Sequence, residues 1–254
     1  MLYALGVGAD EMAFVYEEGL QALASMAVVL AYPGFFWREP EFGADWARVL
    51  AGGQSVEIHA PLPVEGEVVG MTRFEGVSDK GPGRGAIVQY SRAIESLDGA
   101  LLAIDRRTAF LRGDGGCGDA GVVIARPDAV DPTREPDAEV ALATQPNQAQ
   151  IYRLSGDYNP LHIDPAVAHA AGFNGPILHG LCTYGVACRA VTSALCEGDA
   201  TRVRRFDARF VGTVYPGDTI VTRIWREGDG RATFDAYVKE RGKPVLGNGL
   251  VEFS

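Results

Sequence analysis

The amino-acid sequence predicts an α+β protein made of two similar units, in each of which an antiparallel β-sheet wraps a buried helix. The first observation is a repeated order: an alanine-rich helical run followed by four strand-like runs occurs twice along the 254 residues. The second is a Gly-, Pro- and Asp-rich stretch at about 113–148, which has few large apolar residues and separates the two occurrences. A loop of this length is unusual inside one compact domain, so we expect it to join two units.

Each predicted unit begins with a helical run that lacks a polar face. Residues 19–31 in the first half and 180–195 in the second half are apolar almost all round. Pro33 and Gly34 end the first run, because proline cannot continue a helix. A helix without a polar face must be enclosed, so both helices are predicted to be buried beneath their sheets.

Four strand-like runs, divided by turn residues, follow each helical run. The turns correspond between the halves: Pro63 precedes Gly66-Glu67, and Pro216 precedes Gly217-Asp218. Alternation of side-chain type along 219–225 supports strands with two distinct faces. The predicted strands are 54–63, 66–81, 85–96 and 100–112 in the first half, and 202–215, 218–230, 231–241 and 244–254 in the second.

Composition excludes several functional classes. The formal net charge is -10, with 47% hydrophobic and 22% charged residues. A nucleic-acid or anionic membrane surface needs clustered Lys and Arg, so neither partner is expected, and an anionic ligand must be met by locally placed cations. No apolar run is a convincing membrane span, and no signal peptide is recognised.

The four cysteines favour a reducing, cytoplasmic location. They include no CxxC pair, and three of them share one predicted helix, so they are interpreted as reduced thiols. The C-terminal "VEFS" is not a peroxisomal signal of the SKL type, which supports the same expectation. The cysteines are Cys117, Cys182, Cys188 and Cys196.

The motif "GDYNPLHID", beginning at Gly156, is the main functional signal. Pro160 disfavours helix at Asn159, so the stretch is predicted to be a constrained turn. Asp157 and His162 either steady that turn or activate a water molecule, for which both must lie within roughly 3 Å of it. Asn159 offers a donor and an acceptor to hold water or substrate. Asp164, followed by Pro165, is interpreted as a helix N-cap.

A second signal lies downstream in "GPILHGLCTYG". Gly180 is placed at the start of the second buried helix, where the first N–H groups lack partners and meet the positive end of the helix dipole. Without a side chain, Gly180 lets a carbonyl oxygen approach its N–H, as in an oxyanion hole; the alternative is a glycine required for packing. His179 is interpreted as a satisfied histidine at the helix start. The spacing of His162, His169 and His179 does not suggest a metal site.

The segment "YRLSGDYNPLHIDPAVAHAAGFNGPILHGLCTYGVACRAV" resembles the hydratase 2 motif of the MaoC-like family, the (R)-specific 2-enoyl-CoA hydratases. "YALGVGAD", "VLAGGQSVEIHAPLP", "VSDKGPGRGA" and "FLRGDGGCG" resemble the amino-terminal half of the eukaryotic-type members, so the resemblance covers nearly the whole chain. It implies a double hot-dog fold: a degenerate first hot dog at 1–120 that holds the acyl chain and CoA, a linker at 121–147, and a catalytic hot dog at 148–254.

The resemblance also implies the site. Asp157 and His162 would activate water for syn addition to a trans-2-enoyl-CoA, giving a (3R)-3-hydroxyacyl-CoA, with Asn159 beside them and the Gly180 N–H polarising the thioester carbonyl. The positions that match CoA contacts in the family are Gly52, Lys80 and Arg209; their alternatives are a turn glycine, a turn lysine and a solvated strand arginine. The chain departs from the family at Ala51, where a histidine is common.

Three functions remain open on the sequence. The hydratase needs no metal, nucleotide or redox cofactor and is expected as a cytoplasmic homodimer. The rival enzymes are a dehydratase or a thioesterase on acyl thioesters. The non-enzymatic alternative is an acyl-CoA-binding protein that has kept the fold.

Overall fold

The computed structural model of the chain describes residues 1–125, 127–128 and 133–254. Within these residues, ten strands form one antiparallel sheet in the order β5-β2-β3-β4-β1-β7-β10-β9-β8-β6. The strands are β1 (Val49–Ile58), β2 (Val68–Asp79), β3 (Ala86–Ser96), β4 (Leu101–Leu111), β5 (Ala120–Gly121), β6 (Ala138–Ala143), β7 (Val203–Phe210), β8 (Thr219–Arg226), β9 (Arg231–Val238) and β10 (Lys243–Phe253).

The two halves share this sheet, whereas two separate sheets were predicted. β1 of the first half pairs with β7 of the second, in a register that runs from Gly53 opposite Arg209 to Glu57 opposite Arg205. Each of these strands would otherwise leave a row of unpaired backbone groups at a sheet edge. Pairing the two edges satisfies both, and it makes the seam between the halves the middle of the sheet.

The long helix predicted in the second half is confirmed. α5 (Gly180–Cys196) is almost entirely buried and packs against β6, β7, β8 and β10. The Tyr184 hydroxyl donates a hydrogen bond of 2.5 Å to the Phe206 carbonyl of β7. Gly185 is packed so tightly that a Cβ there would lie 2.4 Å from Cγ1 of Val7. The helix therefore forms the centre of the core, as its lack of a polar face predicted.

The corresponding helix predicted at 19–31 is wrong. Only Ala24–Val28 is helical, as a short 3₁₀ segment. The carbonyls of Ala27 and Val28 accept hydrogen bonds from Arg92, at 3.3 and 3.0 Å, and Val28 also accepts from Arg107 at 2.7 Å. Both guanidiniums are bonded to the buried carboxylate of Asp105. The backbone of this segment thus serves a buried ionic cluster, and its carbonyls are not available to an α-helix.

The predicted linker contributes to the sheet and covers part of it. β6 lies within 121–147 and pairs with β8 at the outer edge of the second half. Earlier in the predicted linker, the Ile124 N–H donates to Oε1 of Gln89 at 2.6 Å, and Nδ2 of Asn248 donates to the Pro127 carbonyl at 2.9 Å. Ile124 and Pro127 therefore lie against the face of the sheet that points away from α5. The domain bounds 1–120, 121–147 and 148–254 stay a prediction.

Short helices bring the start of the chain against the second half. Gln148 donates from Nε2 to the carbonyls of Leu5 and Gly6, at 2.9 and 2.6 Å. None of the helices in the described residues is long and apolar enough to cross a membrane. The α-helices besides α5 are α1 (Leu2–Gly6), α2 (Met12–Val15), α3 (Gln148–Tyr152) and α4 (Pro165–Ala170); the 3₁₀ segments besides Ala24–Val28 are Phe36–Arg38, Pro40–Phe42, Trp46–Arg48, Arg153–Ser155, Pro160–His162 and Ala200–Arg202.

Candidate active site

The motif that begins at Gly156 forms the constrained turn that was predicted. Gly156 has a φ of +112°, a conformation that side chains rarely adopt, and it ends the 3₁₀ segment Arg153–Ser155. Asn159 then starts the segment Pro160–His162, because its Oδ1 accepts a hydrogen bond from the Leu161 N–H at 3.1 Å. Asp164 caps α4 by accepting from the Ala166 N–H at 2.8 Å, which confirms its predicted role.

The side chains of Asp157 and His162 come together beside the start of α5. Asp157 is partly buried, and its Oδ1 accepts from the Asn159 N–H at 3.2 Å. Among the described residues Oδ2 has no hydrogen-bond partner. The carboxylate of Asp157 and the ring nitrogens of His162 and His179 provide a set of atoms that all lie within 4.8 Å of one another. The pair predicted from the sequence is thus close enough to hold one water molecule.

The protonation state of His162 follows from its contacts. Its Nδ1 lies 2.8 Å from the Ile177 carbonyl, and a carbonyl can only accept, so Nδ1 carries the hydrogen. The neutral ring then leaves Nε2 as an acceptor. Burial lowers the pKa of His162, against the opposing effects of the Ile177 carbonyl and the Asp157 carboxylate. His162 is therefore a neutral base with one free lone pair.

His179 lies at the start of α5, as expected, but its ring nitrogens are not both satisfied. It lies at the N-cap position of α5, but its side chain makes no cap hydrogen bond. Its Nε2 lies 3.2 Å from the main-chain carbonyl of Asp157, and its ring stacks on that of His162 with centroids 3.8 Å apart. Its Nδ1 is buried without a partner among the described residues. Burial and the neighbouring His162 lower the pKa of His179 to about 4, so it is neutral near pH 7.

A compact set of potential metal ligands exists here, although the sequence spacing did not suggest one. Asp157, His162 and His179 supply it. His169, the third histidine considered from the sequence, bonds through Nε2 to the Asn174 carbonyl at 3.1 Å. One nitrogen of each stacked ring already bonds a main-chain carbonyl, so each neutral ring offers one lone pair. The expectation that these histidines offer no compact ligand set is therefore wrong for His162 and His179.

Gly180 presents an open N–H at the start of α5. It is exposed and is the first residue of the helix, so its N–H has no intrahelical partner. A Cβ at this position would lie 3.3 Å from Cε1 of Phe210, the last residue of β7. Packing against Phe210 therefore favours glycine at this position, and the predicted approach of a carbonyl oxygen to the Gly180 N–H stays a prediction.

Of the three predicted CoA contacts, Gly52 and Arg209 lie on the paired strands β1 and β7, and Lys80 follows β2. Gly52 lies where the β1–β4 register shifts between Ala51 and Gly53, as in a β-bulge. Lys80 is exposed after β2, with Nζ 2.9 Å from the Ser78 hydroxyl. Arg209 is exposed and lines a crevice, together with Gly53, on the face of the sheet away from α5. Among the described residues the Arg209 guanidinium has no ion-pair partner, so it is free to meet an anion.

Comparison with known families decides the identity of this arrangement. Residues 1–113 match the MFE-2 hydratase 2 N-terminal domain, and residues 128–248 match the MaoC like domain. The chain belongs to the MaoC-like hydratase 2 family. The enoyl-CoA hydratase 2, peroxisomal, of Arabidopsis thaliana is 39% identical to it over 96% of this chain and 86% of the relative.

Solved structures of related proteins agree with this assignment. A MaoC-like dehydratase from Phytophthora capsici is 38% identical to this family member, with a TM-score of 0.91 over 100% of this chain and 90% of that one. A Mycobacterium tuberculosis protein described as a double hot dog is 16% identical, with a TM-score of 0.57 over 99% of this chain and 85% of that one, and shows the fold alone. The double hot-dog fold implied by the sequence resemblance is confirmed.

Proposed function

We propose that this MaoC-like protein is a hydro-lyase that adds water, reversibly and with syn geometry, to trans-2-enoyl-CoA to give (3R)-3-hydroxyacyl-CoA. The observation that supports this function most is that the side chains of Asp157 and His162 lie close together beside the start of α5, where the Gly180 N–H is open. Water activation and carbonyl polarisation are the two tasks that hydration of an enoyl thioester requires.

In the proposed reaction, water lies between the two side chains. Nε2 of His162 accepts one proton as the water oxygen bonds to C3, while Oδ2 of Asp157 accepts a hydrogen bond from the second hydrogen. The negative charge of Asp157 stabilises the imidazolium that forms. The proton then passes from the dyad to C2, so that one hydroxyl and one hydrogen have been added and both side chains are restored. Asn159 fixes the turn that places the pair.

Electrons displaced from the C2–C3 double bond move to the thioester oxygen. In the proposed complex this oxygen accepts a hydrogen bond from the Gly180 N–H at the positive end of α5. A preorganised donor of this kind contributes on the order of 3 kcal/mol to the transition state. The thioester itself makes the alkene reactive, so the reaction needs no metal, nucleotide or redox cofactor. Dialysis against a chelator is therefore expected to leave the rate unchanged.

The CoA portion is proposed to leave the site around the end of β7. The ring of Phe210 borders Gly180, and Arg209, the preceding residue, points to the opposite face of the sheet. A pantetheine arm passing Phe210 would bring the CoA phosphates to the free guanidinium of Arg209, with Gly52 and Lys80 as further contacts. The first unit, within 1–120, is proposed to hold the acyl chain.

The assay that tests the proposal uses the pure protein with crotonyl-CoA and with a longer trans-2-enoyl-CoA. We expect loss of the enoyl absorbance, a (3R) product, and no release of free CoA thiol. Thiol release without loss of the alkene would indicate the rival thioesterase. Binding without turnover of either substrate would indicate a non-catalytic acyl-CoA-binding protein. Supplying the (3R)-3-hydroxyacyl-CoA measures the dehydratase direction of the same reaction.

We further propose a homodimer in the cytoplasm. Beyond its two residues paired with β5, the outer edge of β2 is unpaired in the described chain, and Val69 and Met71 on this strand are 51% and 62% exposed. Apolar side chains along an open strand edge favour pairing with a second copy. The cysteines are all free, as expected in a reducing compartment. Light scattering of the pure protein tests the dimer, and cell fractionation tests the location.

A further inference from the structure

His179 has no evident structural reason to be a histidine. It is 1% exposed and does not cap α5. Its Nδ1 is buried without a partner among the described residues, and an unpaired buried polar atom destabilises the folded state. A phenylalanine would fill similar space without this cost. A buried group that reduces stability in this way requires another explanation.

The contacts of His179 link it to both members of the proposed dyad. Its Nε2 donates to the main-chain carbonyl of Asp157 at 3.2 Å. This bond holds the backbone next to Gly156, whose φ is +112°. This hydrogen bond therefore positions the backbone of Asp157, from which the carboxylate extends.

The ring of His179 also fixes His162. The two imidazoles stack with centroids 3.8 Å apart and planes inclined by 29°. The Ile177 carbonyl holds Nδ1 of His162 but leaves the ring free to turn about that bond. The stacked face of His179 removes this freedom, and the ring of Tyr152, 4.9 Å from His179, supports it from the α3 side.

We infer that His179 is a positioning residue that sets the relative placement of Asp157 and His162, by a hydrogen bond to the backbone of one and by stacking on the ring of the other. The inference rests on the proposed hydration reaction. His179 itself exchanges no proton with the substrate. A small displacement of either group is costly, because about 1 Å of misplacement can reduce a rate 100-fold.

Two substitutions separate the two contacts. His179→Phe keeps a stacked ring but removes the donor to Asp157, whereas His179→Gln keeps an amide donor but removes the ring. Each is expected to lower kcat by about 10- to 100-fold with little change in KM, because substrate binding is untouched. The melting temperature of His179→Phe is expected to stay near that of the wild type, since the unpaired Nδ1 and the hydrogen bond to Asp157 are lost together. His169→Phe, on exposed α4, is the matched control and should keep full activity.

Nitrogen NMR of the histidines gives a readout independent of turnover. The wild type should show His162 as the Nδ1–H tautomer and His179 as the Nε2–H tautomer, and His179→Gln should broaden the ring resonances of His162, because that ring loses the stacked face that holds its orientation. Wild-type kcat in both variants, or a rise in KM alone, would overturn the inference. An inactive wild type would instead refute the proposed function, and in that case an unchanged His162 spectrum in His179→Gln would overturn the inference as well.

Discussion

The base strength of His162 is set by its burial. Since burial lowers its pKa, the ring stays unprotonated at pH values where an ordinary histidine, with a pKa near 6.5, is already charged. The proposed base must be neutral, so activity is present above the lowered pKa and is lost as the pH falls through it. The acid limb of kcat/KM for crotonyl-CoA is therefore expected below about pH 6.5. An acid limb at or above that value would contradict the assignment of His162 as base.

His179 makes the stability of the fold depend on pH. Its pKa is about 4 in the folded chain and near 6.5 when unfolded, so the unfolded state binds the extra proton first. The neutral His179 ring makes its full contribution to the free energy of unfolding above about pH 6.5, and this contribution is lost as the pH falls towards about 4. The charged or titratable groups around it are His162, Asp157, Arg153 and Tyr152.

The expected result is a smaller loss of unfolding free energy between pH 6.5 and about 4 in His179→Phe than in the wild type. The carboxylates that titrate in this pH range are common to both proteins, so their effect on the free energy of unfolding cancels in the comparison. Denaturant unfolding at several pH values measures the free energy of unfolding of each protein. Parallel pH profiles for the two proteins would show that the buried imidazole does not carry the depressed pKa.

At the scale of single residues, the sequence predicted the placement of the motif residues better than the contacts of His179. The short spacing within "DYNPLH" confines Asp157 and His162 to one turn, and Asp164-Pro165 is a local cap signal. His179 was misinterpreted because its partners are the Asp157 carbonyl and the His162 ring, 22 and 17 residues earlier. No local rule reports a contact of that kind.

The start of α5 is the element on which the oxyanion proposal depends. Gly180→Ala would place a Cβ 3.3 Å from the Phe210 ring and beside the open N–H. We expect a small loss of stability and a 10²- to 10³-fold loss of kcat, about the effect of removing one oxyanion donor. Steady-state kinetics and thermal unfolding of the same preparation measure both.

Gly175→Ala provides the control for Gly180→Ala. It lies in the same loop before α5, and a Cβ there would meet nothing within 4 Å. Its activity and melting temperature are expected to match the wild type. If Gly180→Ala were as active as Gly175→Ala, the Gly180 N–H would not be the oxyanion donor.

The elements themselves were predictable to different degrees. The eight main strands lie within, or within five residues of, the predicted runs, because alternating side chains and Gly or Pro turns are local signals. The structure at 19–31 was not predictable in this way, because the carbonyls of Ala27 and Val28 bind Arg92 and Arg107, more than sixty residues away in sequence. β6 was missed because its strand pattern consists largely of small residues within a Pro- and Asp-rich stretch.

At the scale of the whole molecule, the continuous sheet places the proposed catalytic unit and the proposed CoA contacts on one rigid frame. Lys80 follows β2 in the first half, and Arg209 lies on β7 in the second, opposite Gly53 of β1. The merging of two sheets was not predictable, since strand patterns do not specify which edges pair. The duplicated order of elements predicted the two-unit organisation but not this shared seam.

The CoA proposal predicts a specific pattern in KM. Lys80→Ala and Arg209→Ala should each raise KM for crotonyl-CoA about 5- to 30-fold, as for loss of a charge-assisted phosphate contact. Neither should alter kcat/KM for the crotonyl thioester of N-acetylcysteamine, which lacks the phosphates. Lys243→Ala, at an exposed lysine that starts β10, is the control. Equal effects on both substrates would show that these residues do not recognise CoA.

The turnover of crotonyl-CoA by Asp157→Asn and His162→Ala tests the central claim most directly. Asp157 is partly exposed and His162 contacts one carbonyl, so both variants should keep the wild-type circular dichroism spectrum. Each should lose about 10²- to 10⁴-fold in kcat, the usual effect of removing a general acid or base, while the wild type yields the (3R) product. Near-wild-type rates in either folded variant, or a (3S) product from the wild type, would contradict the account.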